Sequence, residues 1–417
     1  MGKDREIFWG WFIVAGAFFV MAINYGARYC FGVFLKPLAE DLSWSRSVIS
    51  LAATINIALY SIGAIFVGRM LDRIAPRWII TAGAALAAAG YILTGFIDTP
   101  FAFCITYGLL VGLGTTGMGV VACTSSVGKW FIKKRGLAIG ITSTGISFGT
   151  IILTPLAGYV VNFFGWRTGL IALGLIIFFI GLIVSQTLLR KTNPEAHGLL
   201  PDGDKTAIPH QASPPQTAGK ISTRIIFKDS RFWTLAICQG LAFMVTMSVF
   251  VHQVAYATDN GIGNIAAASS LAAISLTGFI GQFFYGWFSD RIRDPKYSFC
   301  LASSFMLVSM ILLINARSVG GLYCFALLFG FGYGSLAPVV PIVAAHRFGR
   351  HVLGSIYGLL TFFIGAGGSI GPILGGFIYD HFGSYRYLWL INIFVLIFIT
   401  LAILTLKKGK PLEQPND

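Results

Sequence analysis

Apolar runs long enough to cross a bilayer, about 20 residues at about 1.5 Å each, repeat along the whole chain and exclude most folds at once. Twelve such runs begin near Phe8, Arg46, Trp78, Phe101, Gly136, Thr168, Trp233, Ala266, Ser298, Gly320, Val352 and Tyr387, set between charged or Gly/Pro-rich breaks. In hydrocarbon every backbone N–H and C=O must find a partner within the protein, so runs without period-two alternation cross as helices and not as barrel strands. Of the 417 residues, 56% are hydrophobic and only 11% charged, where a globular domain carries about a quarter. An all-α integral membrane protein of twelve transmembrane helices is expected.

The formal charge of +14 would fit a nucleic-acid binder if the cations were clustered. Instead 24 of the 30 Lys and Arg fall in alternate loops and the tails, five (Lys36, Arg46, Arg167, Arg317, Arg386) fall on the other side, and Arg28 lies within a span. That is the positive-inside bias, which places both termini in the cytoplasm and predicts no nucleic-acid partner. The six cysteines all lie within spans and have no CxxC spacing, so neither disulfides nor a metal centre is expected. The chain has no N-x-S/T sequon, and its first apolar run lacks a clear signal-peptide cleavage site. A bacterial-type inner membrane fits best.

Arg28 needs a reason. It lies eight residues before Lys36, about 12 Å along a helix. Asn24, Tyr25, Arg28 and Tyr29 share one polar, aromatic-edged face. A cation in hydrocarbon costs several kcal/mol, so this face is expected to line a bundle interior or wet cavity. The alternative is a long stem that snorkels to the interface.

A shift of 218 residues superposes the two halves of the chain. Gly68-x-x-x-Asp72-Arg73 falls on Gly286-x-x-x-Asp290-Arg291, and Gly136, Gly140, Gly149, Gly158 and Gly165 fall on Gly354, Gly358, Gly367, Gly376 and Gly383. Between the halves, 190–230 is rich in Pro, Ser, Thr and charge and reads as a cytoplasmic linker. Six-helix bundles over 1–189 and 231–417 follow, an internal symmetry typical of secondary transporters. The helix-end pairs Asp72-Arg73 and Asp290-Arg291 are expected to form a cytoplasmic gate, the alternative being simple topology anchors.

With these residues in view, the chain resembles the major facilitator superfamily over nearly its whole length. Trp130-Phe131-Ile132-Lys133-Lys134-Arg135-Gly136-Leu137-Ala138-Ile139-Gly140, continued by Gly145-x-x-x-Gly149, is similar to the span-five signature of the monocarboxylate transporters. Glu6-x-x-Trp9-Gly10-Trp11 resembles their span-one signature without its two usual glycines, and the oxalate/formate antiporters share much of the first pattern. The resemblance implies an arginine on span eight that pairs with a substrate carboxylate, but this chain has Gln282 there, and Gly278 where animal carriers have an aspartate. A neutral amide is not a fork for a carboxylate. Arg28 on span one is the cation that can stand in, next to the position where the animal carriers place a lysine, Tyr29 by ungapped match.

His252, the only histidine within a span, has a titration range that suits a proton switch and equally suits hydrogen-bonded packing. Tyr333, in Gly330-Phe331-Gly332-Tyr333-Gly334, offers a hydroxyl and a ring to a small substrate or to packing. The run Gly367 to Gly376 resembles the GxxxGPxxGG signature of drug/proton antiporters, displaced from span five to span eleven, and reads as packing and gating geometry. No phosphate loop or HExxH motif occurs, and the many glycine pairs sit in membrane spans, so neither an enzyme nor a cofactor is expected. The expectation is a monomeric carrier for a small organic anion, most plausibly a monocarboxylate, by proton symport or exchange. The alternative is export of a less acidic or hydrophobic compound. Arg28, Asn24, Tyr25, Tyr29, Gln282 and Tyr333 are the expected substrate contacts, with His252 for coupling.

Overall fold

The structure is a computed structural model describing residues 8–71, 73–131, 134–191, 194, 199–200, 202, 223–348 and 353–407. Every regular element among these residues is helical. In chain order come α1 (Gly10–Tyr29), α2 (Phe31–Leu42), α3 (Arg46–Met70) and α4 (Pro76–Thr94). The short α5 (Pro100–Phe103) runs through a π-helical stretch, Cys104–Val111, into α6 (Gly112–Gly117), followed by α7 (Val120–Gly128) and α8 (Arg135–Thr187). Then come α9 (Thr223–Lys228), α10 (Ser230–Asp259), α11 (Asn264–Arg291), α12 (Lys296–Ile314) and α13 (Val319–Tyr333). A 3-10 turn, Gly334–Leu336, leads to α14 (Val339–Phe348), α15 (Leu353–Phe382) and α16 (Arg386–Leu404). Most of the expected 190–230 linker, 203–222 included, lies outside the described residues.

Among the described residues, eleven helical stretches are long and apolar enough to cross a membrane. One of them, Leu137–Thr187, has 51 residues and would be about 75 Å long if straight, more than twice a hydrocarbon core. Gly165, at φ +82° and ψ 165°, breaks it, a backbone conformation open to glycine and costly for other residues. Its two limbs are separate crossings, which restores the twelve read from the sequence. Local chemistry sets several starts: Thr99 Oγ1 accepts from Ala102 N at 3.3 Å beside Pro100, and Ser318 Oγ accepts from Gly321 N at 3.2 Å.

Packing divides the chain into two compact units, Met1–Cys30 with Leu59–Gln211, and Phe31–Ala58 with Ala212–Asp417. Residues 31–58, placed in the first half by the sequence repeat, thus belong with the second unit. In the first unit α1 and the first limb of α8 meet backbone to backbone. A Cβ on Gly149 would lie 1.8 Å from Ala22 O, and one on Gly145 2.3 Å from Phe18 O. The second unit repeats this contact 218 residues on, where a Cβ on Gly367 would lie 1.9 Å from Gly240 O, bringing α15 onto α10. Small residues at such crossings let helices that are apolar all round gain close van der Waals contact in lipid. The glycine register of the sequence repeat is therefore a packing register.

Candidate functional site

Arg28 occupies the last turn of α1 in the first unit and is half-buried. Its guanidinium carbon lies 4.2 Å from the centroid of the Tyr60 ring on α3, and among the described residues no acidic side chain pairs with it. Tyr60 OH and Tyr25 OH share a 2.5 Å hydrogen bond, and the Tyr25 and Tyr29 rings are 5.8 Å apart. The expected residues Tyr25, Arg28 and Tyr29 are thus brought together. Asn24 departs from them: its Nδ2 donates to Thr115 O at 3.1 Å, tying α1 to α6, and its buried Oδ1 has no partner among the described residues.

Tyr60 was not singled out from the sequence. Its signal was the small residues that make room for it. A Cβ on Gly119 would meet the Tyr60 hydroxyl at 2.6 Å, and Gly63, one turn along α3, packs against Thr116.

In the second unit Gln282 is half-buried on α11, and its backbone N lies 2.9 Å from where a Cβ on Gly334 would stand. Tyr333 packs its ring 5.5 Å from that of Phe250 and against Gly278, whose added Cβ would meet Tyr333 Cδ1 at 3.1 Å. The space an aspartate would need at position 278 is filled by this ring. The absent acid and the tyrosine are one packing choice.

His252 is fully buried on α10 and both ring nitrogens are engaged. Nε2 is 2.7 Å from Pro372 O, a fixed acceptor, so Nε2 carries the proton and Nδ1 accepts from Tyr385 OH at 3.1 Å. Tyr385 OH in turn accepts from Arg46 Nη1 at 2.9 Å. Burial raises the Tyr385 phenol above its usual pKa although Arg46 opposes the shift, so it keeps its proton to donate.

Arg46 is the centre of a polar cluster at the end of the second unit where α10 stops. Its Nη1 and Nη2 grip both oxygens of Asp259 at 2.7 and 3.0 Å, while Lys36 Nζ reaches Asp259 at 3.0 Å. Its guanidinium stacks 3.6 Å from the centroid of the Tyr379 ring. Asp380 accepts from the N–H groups of Arg46 and Ser47 at 2.8 and 2.7 Å, anchoring the start of α3, where the helix dipole favours an anion. Glycines make the fit possible: a Cβ on Gly375 would lie 2.3 Å from His252 Cδ2, and one on Gly376 2.6 Å from Ser47 Cα. The Gly371-Pro372-x-x-Gly375-Gly376 run is therefore the seat of this cluster. Sequence reading treated Lys36 and Arg46 as loop cations only.

At the opposite end of the same unit, Arg347 Nη2 bonds both oxygens of Asp294 at 2.7 Å, and Arg347 O accepts from Arg231 Nη1 at 3.0 Å. Burial of Asp294 opposes its ionisation, but the Arg347 hydrogen bonds, the Lys296 backbone N–H and both cations outweigh it and hold the carboxyl below its usual range. Of the expected gate residues, Asp72 lies outside the described residues, as does the side chain of Asp290. Arg73 is exposed, and Arg291 is exposed with its guanidinium 4.4 Å from the Trp287 ring of its own helix.

Comparison with known proteins adds a lineage to this geometry. Residues 17–372, and again 256–417, match the sequence model of the Major Facilitator Superfamily. Monocarboxylate transporter 12-B of Danio rerio is 26% identical, covering 95% of this chain and 86% of its own length. Monocarboxylate transporter 2 of Homo sapiens is 24% identical over 92% of this chain and 82% of its own. The crystal structure of a bacterial homolog to the human lysosomal transporter Spinster, inward-facing and unoccupied, superposes with a TM-score of 0.77 over 97% of this chain and 98% of its own, at 15% identity. That likeness shows the fold.

Proposed function

We propose, since this chain belongs to the Major Facilitator Superfamily and is a membrane transporter and not an enzyme, that it carries small organic anions, monocarboxylates foremost, by alternating access. The observation that carries this reading is Arg28. Resting over the Tyr60 ring satisfies part of its charge without consuming its N–H donors, at about 0.5–2 kcal/mol. A carboxylate, which accepts two of those donors in a charge-assisted pair, is the stronger partner and displaces the ring. The monocarboxylate transporter relatives supply the substrate class by likeness.

The positive-inside bias supports cytoplasmic termini, and an inner-membrane location is proposed with them. Asp72, Arg73, Asp290 and Arg291 are proposed as the cytoplasmic gate, and Gln282 and Tyr333 as neutral contacts for the organic part of the substrate.

For coupling we assign His252. A proton arriving at Nδ1 turns the Tyr385 hydroxyl from donor to acceptor towards His252 and places a second cation on the hydroxyl that already accepts from Arg46. Protonation is thereby linked electrostatically to the Arg46–Asp259 pair, and symport requires in addition that a bound anion favour the protonated ring. His252→Gln is expected to abolish the dependence of uptake on an inward proton gradient while leaving exchange intact. Gradient-driven uptake that survives the change would assign the proton elsewhere.

The neutral Gln282 and Tyr333 favour a second reading, export of a less acidic compound. A thermal-shift screen of purified protein separates the two, because a ligand at 100 times its Kd stabilises by about 2.7 kcal/mol. Carboxylates are expected to stabilise the wild type and to lose that effect in Arg28→Ala. Stabilisation by neutral compounds alone would favour export.

A further inference from the structure

A cavity of about 300 Å³ opens at the end of the second unit where α10 and α12 stop and α16 begins. Its wall carries two guanidinium groups, Arg317 from the α12–α13 connection and Arg386 at the start of α16, both exposed and neither in an ion pair among the described residues. Both lie within electrostatic reach of Tyr256, which also lines the cavity. The one acid in the wall, Asp259, already has both oxygens held by Arg46 and a further contact from Lys36. The cavity's uncompensated charge is therefore positive.

The helix ends reinforce this. The C-terminal carbonyls of α10 and α12 would repel an anion, but Asn260 Nδ2 donates to Tyr256 O at 2.8 Å and Asn315 Nδ2 to Ile311 O at 2.9 Å, covering one carbonyl at each end. The start of α16 offers the favourable end of its dipole. The volume stands at the small end of small-molecule sites and suits an anion of a few carbons.

We propose that this cavity is a capture site for a small carboxylate, in which Arg317 and Arg386 collect the ligand before it is transported. That the ligand is a carboxylate rests on the function proposed above; that it is an anion rests on the cavity alone. Because both cations are exposed, the site works by concentrating anions and raising their on-rate, an effect that ionic strength weakens. Its wall shares Asp259 and Tyr385 with the Arg46 cluster, so a captured anion lies beside that ion pair.

The test places a reporter thiol in the wall, Ile314→Cys or independently Ser384→Cys, with the exposed native Cys324 replaced by Ser. Labelling by an anionic thiosulfonate is compared with labelling by its cationic counterpart, with lactate as the probe anion and chloride as the ionic-strength control. The anionic reagent is expected to react about tenfold faster, this preference is expected to vanish in Arg317→Gln/Arg386→Gln, and lactate but not chloride is expected to protect the thiol. In reconstituted vesicles the same double change is expected to raise KM several-fold for lactate supplied from this face, with kcat unchanged. A charge preference that persists without both arginines overturns the site, and protection by phosphate but not lactate overturns the carboxylate assignment. Arg28→Ala separates the two proposals, since it is expected to abolish transport and leave protection at the reporter thiol unchanged.

Discussion

Removing Arg28 tests a single charge. Hydrogen bonds to charged groups contribute about 1.5–3 kcal/mol, so Arg28→Ala is expected to weaken carboxylate binding by about 10- to 100-fold in a thermal-shift titration. Arg28→Lys keeps the charge without the fork and is expected to fall between the two. Equal affinities in all three proteins would return Arg28 to an interfacial, snorkelling role. This residue stood out in the sequence because a cation in an apolar run is costly wherever it points. Its partner was not, because Tyr60 looks like any aromatic in a span until the ring is seen beneath the guanidinium. The same holds at position 278, where the sequence shows a missing acid and only packing shows that the Tyr333 ring fills its place.

At the scale of elements, the glycine pairs carry a quantitative expectation. Gly149→Ala and Gly367→Ala each force a methyl group into a facing backbone carbonyl, and each is expected to destabilise the protein by about 1–3 kcal/mol, measured by urea or thermal unfolding in detergent. Gly140, flagged by the same sequence repeat, has nothing within 4 Å of an added Cβ, so Gly140→Ala is expected to be neutral or slightly stabilising. Equal effects at all three positions would refute the packing register. Period and spacing made these crossings readable, since one offset aligned them. The Arg46 cluster was not readable in this way. Arg46 and Asp259 are 213 residues apart, and Arg46 and Tyr385 339, so each looked like an isolated residue at a helix end. The Gly-Pro run, read as packing and gating geometry, packs closely at Gly371, Gly375 and Gly376, but its partners, His252 and the start of α3, needed coordinates.

For the whole molecule, acid stability follows from the Asp294–Arg347 pair. A carboxyl whose folded pKa lies below its unfolded value stabilises the fold above the unfolded value, near pH 4, and loses that contribution as pH falls through the folded one. Asp294→Asn is therefore expected to lower Tm at pH 7 and to flatten the loss of Tm between about pH 5 and pH 3. An unchanged Tm at pH 7 would show that the pair adds nothing to the fold. The twelve crossings and the internal repeat were legible from hydropathy and glycine spacing because lipid leaves backbone no alternative to helix. The grouping of residues 31–58 with the second unit was not, since it rests on contacts between residues far apart in the sequence, such as Gly32 against Phe250 and Arg46 with Asp259 and Asp380. The central proposal, that this transporter carries small monocarboxylates through contact with Arg28, is tested most directly by counterflow in proteoliposomes. Vesicles loaded with unlabelled lactate are expected to accumulate labelled lactate transiently with wild-type protein, weakly with Arg28→Lys and not at all with Arg28→Ala. Counterflow that is equal in all three, or absent from the wild type across a panel of monocarboxylates, would contradict the account.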